Sequence, residues 1–157
     1  MTQDPTGIAA LDERIPFLLS QLGSHIADEF KRRLESLGIH PRATAILLAL
    51  AELDGQSQRE LSVRLGLHRN VMVAMVDALE EQGLVERLPH PTDRRAFAVS
   101  LTKSARDVLP GLDRVVRDLE DQITAPLSQE QRAALLTALQ SMSAAAGLTP
   151  GVHPGLA

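Results

Sequence analysis

The sequence predicts a mainly α-helical protein with one small β-hairpin, an α+β fold, and three observations carry that prediction. The first is hydrophobic periodicity: Ile15, Leu18, Leu19, Leu22, Ile26, Phe30, Leu34 and Leu37 recur at three- and four-residue steps, the period of an amphipathic helix. The second is a dense run of helix caps and stops between Ser57 and Gly83. The third is a change of period after Gly83, where Leu84-Val85-Glu86-Arg87-Leu88 and then Phe97, Val99 and Leu101 alternate like half-buried strands.

Each element has a local cause. The first long helix is expected to begin near Asp12, with Pro16 in its first turn, where a missing N–H costs little, and to end at Gly38. Pro41 opens a second helix. Its centre, Ala45-Ile46-Leu47-Leu48-Ala49-Leu50-Ala51, is apolar nearly all round and so belongs inside the protein. Asp54-Gly55 stops it. Ser57-Gln58-Arg59-Glu60 is a capping box, in which serine and glutamate each satisfy an orphan backbone donor. The short third helix that follows carries Leu61 and Leu65 and stops at Gly66. A fourth helix, with Met72, Met75, Val76 and Leu79 at core spacing, ends at Gly83. Two short helices joined by a tight glycine turn form a helix-turn-helix.

The two alternating segments flank Pro89-His90-Pro91-Thr92-Asp93-Arg94-Arg95, an exposed loop with a charged tip. Thr102 caps a fifth helix with a stripe from Ala105 to Ile123, interrupted by Pro110-Gly111, a pair expected to kink or split it. Ser128-Gln129-Glu130-Gln131 is a second capping box and opens a sixth helix. The segment from Gly147, with Pro150, Gly151, Pro154 and Gly155, is expected to fray.

Composition narrows the function classes. The 157 residues are 44% hydrophobic and 23% charged, near globular averages, which excludes wholesale disorder. Cysteine is absent, so disulfides, thiol catalysis and cysteine-ligated zinc are excluded together. With no Trp, no Tyr and 3 Phe, an aromatic platform for single strands is not expected. The five histidines show no metal-ligand spacing, and no nucleophile–base pair or phosphate-cradling glycine loop appears. Neither catalysis nor a cofactor or metal is therefore expected. No apolar run approaches the ~20 residues of a bilayer span, and the first residues lack a signal-peptide pattern, so a soluble cytoplasmic protein without membrane contact is the expectation. The net charge is −4, but it is unevenly spread. Residues 56–106 hold eight basic and six acidic side chains, whereas the flanks hold eight and fourteen. The sign asymmetry, +2 in the middle against −6 in the flanks, points mildly to a polyanion meeting the middle of the chain.

A helix-turn-helix followed directly by a hairpin with arginines in its loop is a winged helix, and each part suits duplex DNA. The fourth helix can lie in the major groove with His68, Arg69, Asn70 and Val73 toward base edges. Arg69 can pair bidentately with guanine or hold a phosphate; Asn70 suits adenine, and Val73 a thymine methyl. Ser57 and Gln58, at a helix N-terminus, offer backbone donors to a phosphate. Arg94 and Arg95 can reach the minor groove.

The run GLVERLPHPTDRRAFAVSLT, from Gly83 to Thr102, resembles the wing signature of the MarR family of bacterial transcriptional regulators. Glu60-Leu61, Leu65-Gly66-Leu67 and Val76-Asp77-x-Leu79-Glu80 match that family's two preceding helices at the right spacing. The resemblance implies a homodimer in which residues 12–38 and 102–146 form a helical dimerisation region and 41–101 a winged helix-turn-helix lobe; composition makes 147–157 a flexible tail. It implies repression at a pseudo-palindromic duplex operator, relieved by a small aromatic or anionic effector. It assigns Arg95 to the minor groove and Asp93 to bracing the wing, and places His68, Arg69, Asn70 and Val73 among the major-groove readers. His68 stands where the family usually has a capping serine, Ala74 where an arginine is frequent, and Lys103-Ser104-Ala105 in place of Glu-x-Gly. The missing cysteine excludes the branch that senses organic peroxides through a thiol.

The resemblance places an effector between the dimerisation helices and the lobe, with His25, Arg42 and Ile46 as candidates for a cation near an apolar wall. The long stripes also argue for self-association on their own, since one chain of this size would leave much of them exposed. The rival reading is a winged-helix module that binds proteins and has lost DNA.

Overall fold

The computed structural model describes residues 6–93 and 95–156; Arg94 lies outside them. Helix α1 (Ala9–Asp12) is a single turn, and α2 (Ile15–Glu35) and α3 (Pro41–Glu52) follow. Strand β1 (Gln56–Ser57) leads into α4 (Gln58–Leu65) and α5 (Arg69–Glu81). Strands β2 (Val85–Pro89) and β3 (Phe97–Leu101) form the hairpin. Then come α6 (Lys103–Thr124), α7 (Gln129–Ala145) and a 3-10 turn at Pro154–Leu156. The mainly α fold with a small antiparallel sheet agrees with the expectation.

Two details differ from the sequence reading, and two more bear on it. The long helix begins at Ile15 rather than near Asp12, with Arg14 extended as its N-cap. A helix running on from Asp12 would drive the Pro16 ring into a carbonyl one turn back, so the chain breaks before it. The sheet has three strands, in the order β1-β3-β2, because Gln56 and Ser57 pair with Val99 and Ala98. Helix α6 is not split: it runs unbroken through Pro110-Gly111. Pro110 is exposed, so water can satisfy the carbonyl it frees, while Gly111 lets Leu37 approach to within 3.4 Å of where a Cβ would stand. In the C-terminal segment, Val152 packs on Gly66 and is half-buried.

One core holds the lobe together. Leu34 of α2, Ile46, Leu47 and Leu50 of α3, Leu61 of α4, Met72, Val76 and Leu79 of α5, Val85 and Val99 of the sheet and Leu112 of α6 are all fully buried. Each such side chain contributes about 1.5–3 kcal/mol relative to exposure. Polar ties fix the joints. Gln56, itself buried, donates through Nε2 to the carbonyls of Ala49 and Leu53 and so closes the end of α3. Asp54 Oδ1 accepts Leu101 N–H at 2.9 Å while Oδ2 accepts Arg106, tying the same loop to β3 and α6. Thr102 caps α6 by accepting Ala105 N–H and donates to Gly83 O at 2.7 Å.

The outlying helices are different. No residue of α7 is buried, and Leu135, Leu136 and Met142 stand exposed along it. On α2, Ile15 is 66% exposed, and Phe17, Leu19 and Leu22 are also open. Among the described residues, no helix is long and apolar enough to cross a membrane.

Candidate nucleic-acid interface

The start of α4 is set by the capping box read from the sequence. Ser57 Oγ accepts Glu60 N–H at 3.2 Å, and Glu60 Oε2 accepts both Ser57 N–H at 2.7 Å and Ser57 Oγ–H at 2.8 Å. The backbone N–H of Ser57, then its hydroxyl, hold the Glu60 carboxyl below the usual carboxylate range, with His90 adding a smaller pull. The sign follows: the cap's stabilisation is complete above the ordinary carboxylate range and is lost as acid titrates the lowered group. Ser57→Ala is expected to cost about 1 kcal/mol of stability, read by urea denaturation. Because Ser57 also pairs with Ala98, the same residue joins the start of α4 to the wing strand.

Gly66, at φ +64°, makes the left-handed turn between α4 and α5, a region that a side chain would strain. It lies between Leu65 and Leu67, both buried, so the turn is pinned on each side. His68 then caps α5, its Nδ1 accepting Asn70 N–H at 3.3 Å. With Met72, Val76 and Leu79 turned into the core, Asn70 is left exposed on the outer face with Val73 half-buried at its flank, and Arg69 is exposed at the first position of the helix.

The wing is anchored to α5 by Arg87. Its guanidinium donates to both Asp77 and Glu80, and its backbone N–H donates to Glu80 Oε1 at 3.1 Å. Sequence reading put Arg87, Asp77 and Glu80 in motifs without seeing that they meet. Arg87→Met is expected to lower stability by about 1 kcal/mol, since the carboxylates are partly exposed and screened, and to loosen the angle between helix and wing. Hydrogen exchange at β2 amides would register that loosening.

Within the wing loop, His90 N–H donates to Ala96 O and Ala96 N–H to Asp93 O, both at 3.1 Å. Asp93 Oδ1 accepts Arg95 N–H at 2.9 Å, a bond across the tip of the loop. The Arg95 side chain is exposed and makes no hydrogen bond among the described residues.

These elements enclose an open cleft of about 560 Å³. Ser57, Gln58, Arg69, Val73, Asp93 and Arg95 all line it, bringing together six residues predicted from sequence. His68 and Asn70 stand outside that lining, at the entrance to α5, and Arg94 is outside the described residues. Arg59, Ser62, Val63, Ala96 and Phe97 complete the wall and were not predicted. Arg59 had a signal, a cation in the first exposed turn after a cap. Val63, 79% exposed, had none, since its position reads as plain helix surface. A second opening of about 540 Å³ adjoins it, lined by Arg59, Glu60, Arg64, His90 and Asp93.

The candidate effector residues are not gathered by either cleft. His25 and Arg42 are exposed on α2 and α3, whereas Ile46 is fully buried in the core. Among the described residues no group of three His, Asp or Glu side chains converges to hold a metal.

A family model described as the MarR family matches residues 37–96, the span of α3 through the wing loop. A transcriptional repressor, CouR, solved bound to a 23-mer DNA duplex, is similar at 30% identity with a TM-score of 0.76, over 89% of this chain and 99% of that one. CouR from Rhodococcus jostii RHA1, bound to p-coumaroyl-CoA, is similar at 28% identity with a TM-score of 0.72, over 87% of this chain and 96% of that one. A curated relative from Thauera aromatica, named for transcriptional regulation of the hcr operon, is 30% identical over 67% of this chain; the matched region spans 63% of that relative's length. Fold, wing motif and these likenesses agree, and the chain belongs to the MarR family of transcriptional regulators.

Proposed function

We propose that the protein is a homodimeric repressor that binds pseudo-palindromic duplex DNA and releases it on binding a small aromatic or anionic effector. The observation that carries this reading is the cleft in which the capped start of α4, the outer face of α5 and Arg95 of the wing share one side of the lobe. Helix N–H groups and arginines there suit phosphates, and the exposed end of α5 suits base edges. Gln58 and Arg69 take the phosphate or base contacts, Ser57, whose N–H and hydroxyl both go to Glu60, holds the start of α4 in place for them, Asn70 and Val73 read bases, and Arg94 and Arg95 work from the wing. CouR on its duplex supports the same use of the fold. The open apolar faces of α2 and α7 support pairing of two chains.

For the effector, CouR with p-coumaroyl-CoA supports a ligand class that joins an aromatic ring to anionic groups. His25 and Arg42 are proposed as its polar partners on α2 and α3, while Ile46, fully buried, can act only through the core. No catalytic step is assigned, and the site of action is the cytoplasm, where the chromosome is. Nothing in the relatives above supports the protein-interaction module.

Selection from a random duplex library, followed by titration of the winners, tests the proposal. A two-fold-related motif with half-sites about one helical turn apart is expected. Asn70→Ala is expected to relax discrimination at one position per half-site by about 1–3 kcal/mol. Failure to enrich any sequence overturns the proposal, and equal weakening on every operator variant overturns the role of Asn70.

A further inference from the structure

Four histidines in this chain do the same local work. His40, His68, His90 and His153 each turn Nδ1 back to accept the backbone N–H two residues on, from Arg42 at 3.2 Å, Asn70 at 3.3 Å, Thr92 at 3.4 Å and Gly155 at 3.0 Å. His90 Nδ1 also accepts Asp93 N–H at 3.2 Å. Serine does this work at any pH. Imidazole does it only while Nδ1 keeps its lone pair, because protonation turns the acceptor into a donor facing another donor. At a helix N-terminus the added charge also meets the positive end of the macrodipole.

Two of the four hold the elements that would read DNA: His68 caps α5, and His90 closes the loop that presents Arg95. We infer that the base-reading surface assembles only with His68 and His90 neutral, so that operator discrimination depends on protons. It is complete while both rings keep the Nδ1 lone pair and falls as acid protonates them. The inference rests on the DNA-binding reading above.

The surroundings reinforce the sign. His90 Nε2 stands 3.9 Å from Glu60 Oε2 of α4, and Arg59, Arg64 and Asp93 line the same opening. An imidazolium there is drawn toward Glu60 on one edge and repelled by the loop amides on the other, so both forces pull the ring off the loop. For His68, the nearest charged residues along the chain are Arg64 on α4 and Arg69 on α5, and His153 follows the Val152 that packs on Gly66. Among the described residues no ion pair includes His68, so nothing offsets the lost cap. New positive charge near DNA strengthens binding to any duplex. The effect therefore lies in the ratio of operator to scrambled affinity, not in affinity alone.

The test uses the full chain, a duplex recovered by selection and its scrambled control, at constant ionic strength. Between about pH 8 and about pH 5.5 the wild-type ratio is expected to fall about tenfold. His68→Ser keeps an acceptor at the cap without titrating, and His90→Asn puts Oδ1 near the position of Nδ1. Each variant, compared with its own ratio at the higher pH, is expected to lose part of the dependence, and the double variant nearly all of it. A readout without DNA accompanies this. In the free protein the amide resonances of Asn70 and Asp93 are expected to move as pH drops, and to stop doing so in the matching variant. A wild-type ratio indifferent to pH, or a dependence untouched by both substitutions, overturns the inference. Silent amides beside intact operator binding overturn it while leaving the DNA-binding reading standing. Responsive amides in a protein that binds no duplex overturn both the reading and the discrimination built on it.

Discussion

Replacing Leu136 with Asp is expected to convert the proposed dimer into single chains and to cut operator affinity by at least about 100-fold, because two lobes no longer share one effective concentration over paired half-sites. Leu136 is 58% exposed on a helix with no buried residue, beside Leu135 and Met142. A lone chain would leave these side chains, and those of Ile15, Phe17, Leu19 and Leu22, in water. Patches of that kind on a folded protein mark surfaces that pair. The lobe's core draws on α2 to α6 and the sheet but takes nothing from α7, so the variant should keep its secondary structure by circular dichroism. Analytical ultracentrifugation and anisotropy with the selected duplex check the two halves of this result. A variant that stays dimeric with full affinity would show that the exposed face of α7 serves some other purpose.

Arg95→Ala is expected to weaken operator binding about tenfold and to reduce the slope of log affinity against log salt by about one. Thermal stability should not move, since the exposed side chain makes no hydrogen bond and the brace to Asp93 uses the backbone N–H, which alanine retains. Asp93→Ala would confound the two effects by removing that brace. An unchanged salt slope, measured from moderate to high ionic strength, would place the Arg95 guanidinium away from the phosphates and the minor groove.

Much of the site was legible because its signals are local. Both capping boxes, at Ser57 with Glu60 and at Ser128 with Gln131, close in the structure as read, since a cap needs only residues within one turn. The outer face of α5 followed in part from the spacing of Met72, Val76 and Leu79, which leaves Asn70 the opposite side; Arg69, seven residues before Val76, lies nearer their side and is exposed at the first position of the helix. Strand β1 was not legible. Two residues carry no period, and Gln56 and Ser57 extend only because Val99 and Ala98 are there to bond them. Whether Pro110 would split its helix was not legible either: the cost of a proline in a helix depends on what surrounds it, and here Pro110 stands exposed in a helix that continues through it.

The sequence by itself determined the element order, the caps, the glycine turns, the core-facing residues and the arginines of the wing, because periodicity and capping act within a few residues. Only the tertiary structure decided that Arg87 clamps the wing to Asp77 and Glu80, that Val63 and Phe97 wall the cleft beside Arg69 and Arg95, and that His90 of the wing faces Glu60 of α4. Those contacts join residues far apart along the chain. Their geometry is set by how the helices and sheet pack over a shared core, and no stretch of sequence encodes it alone.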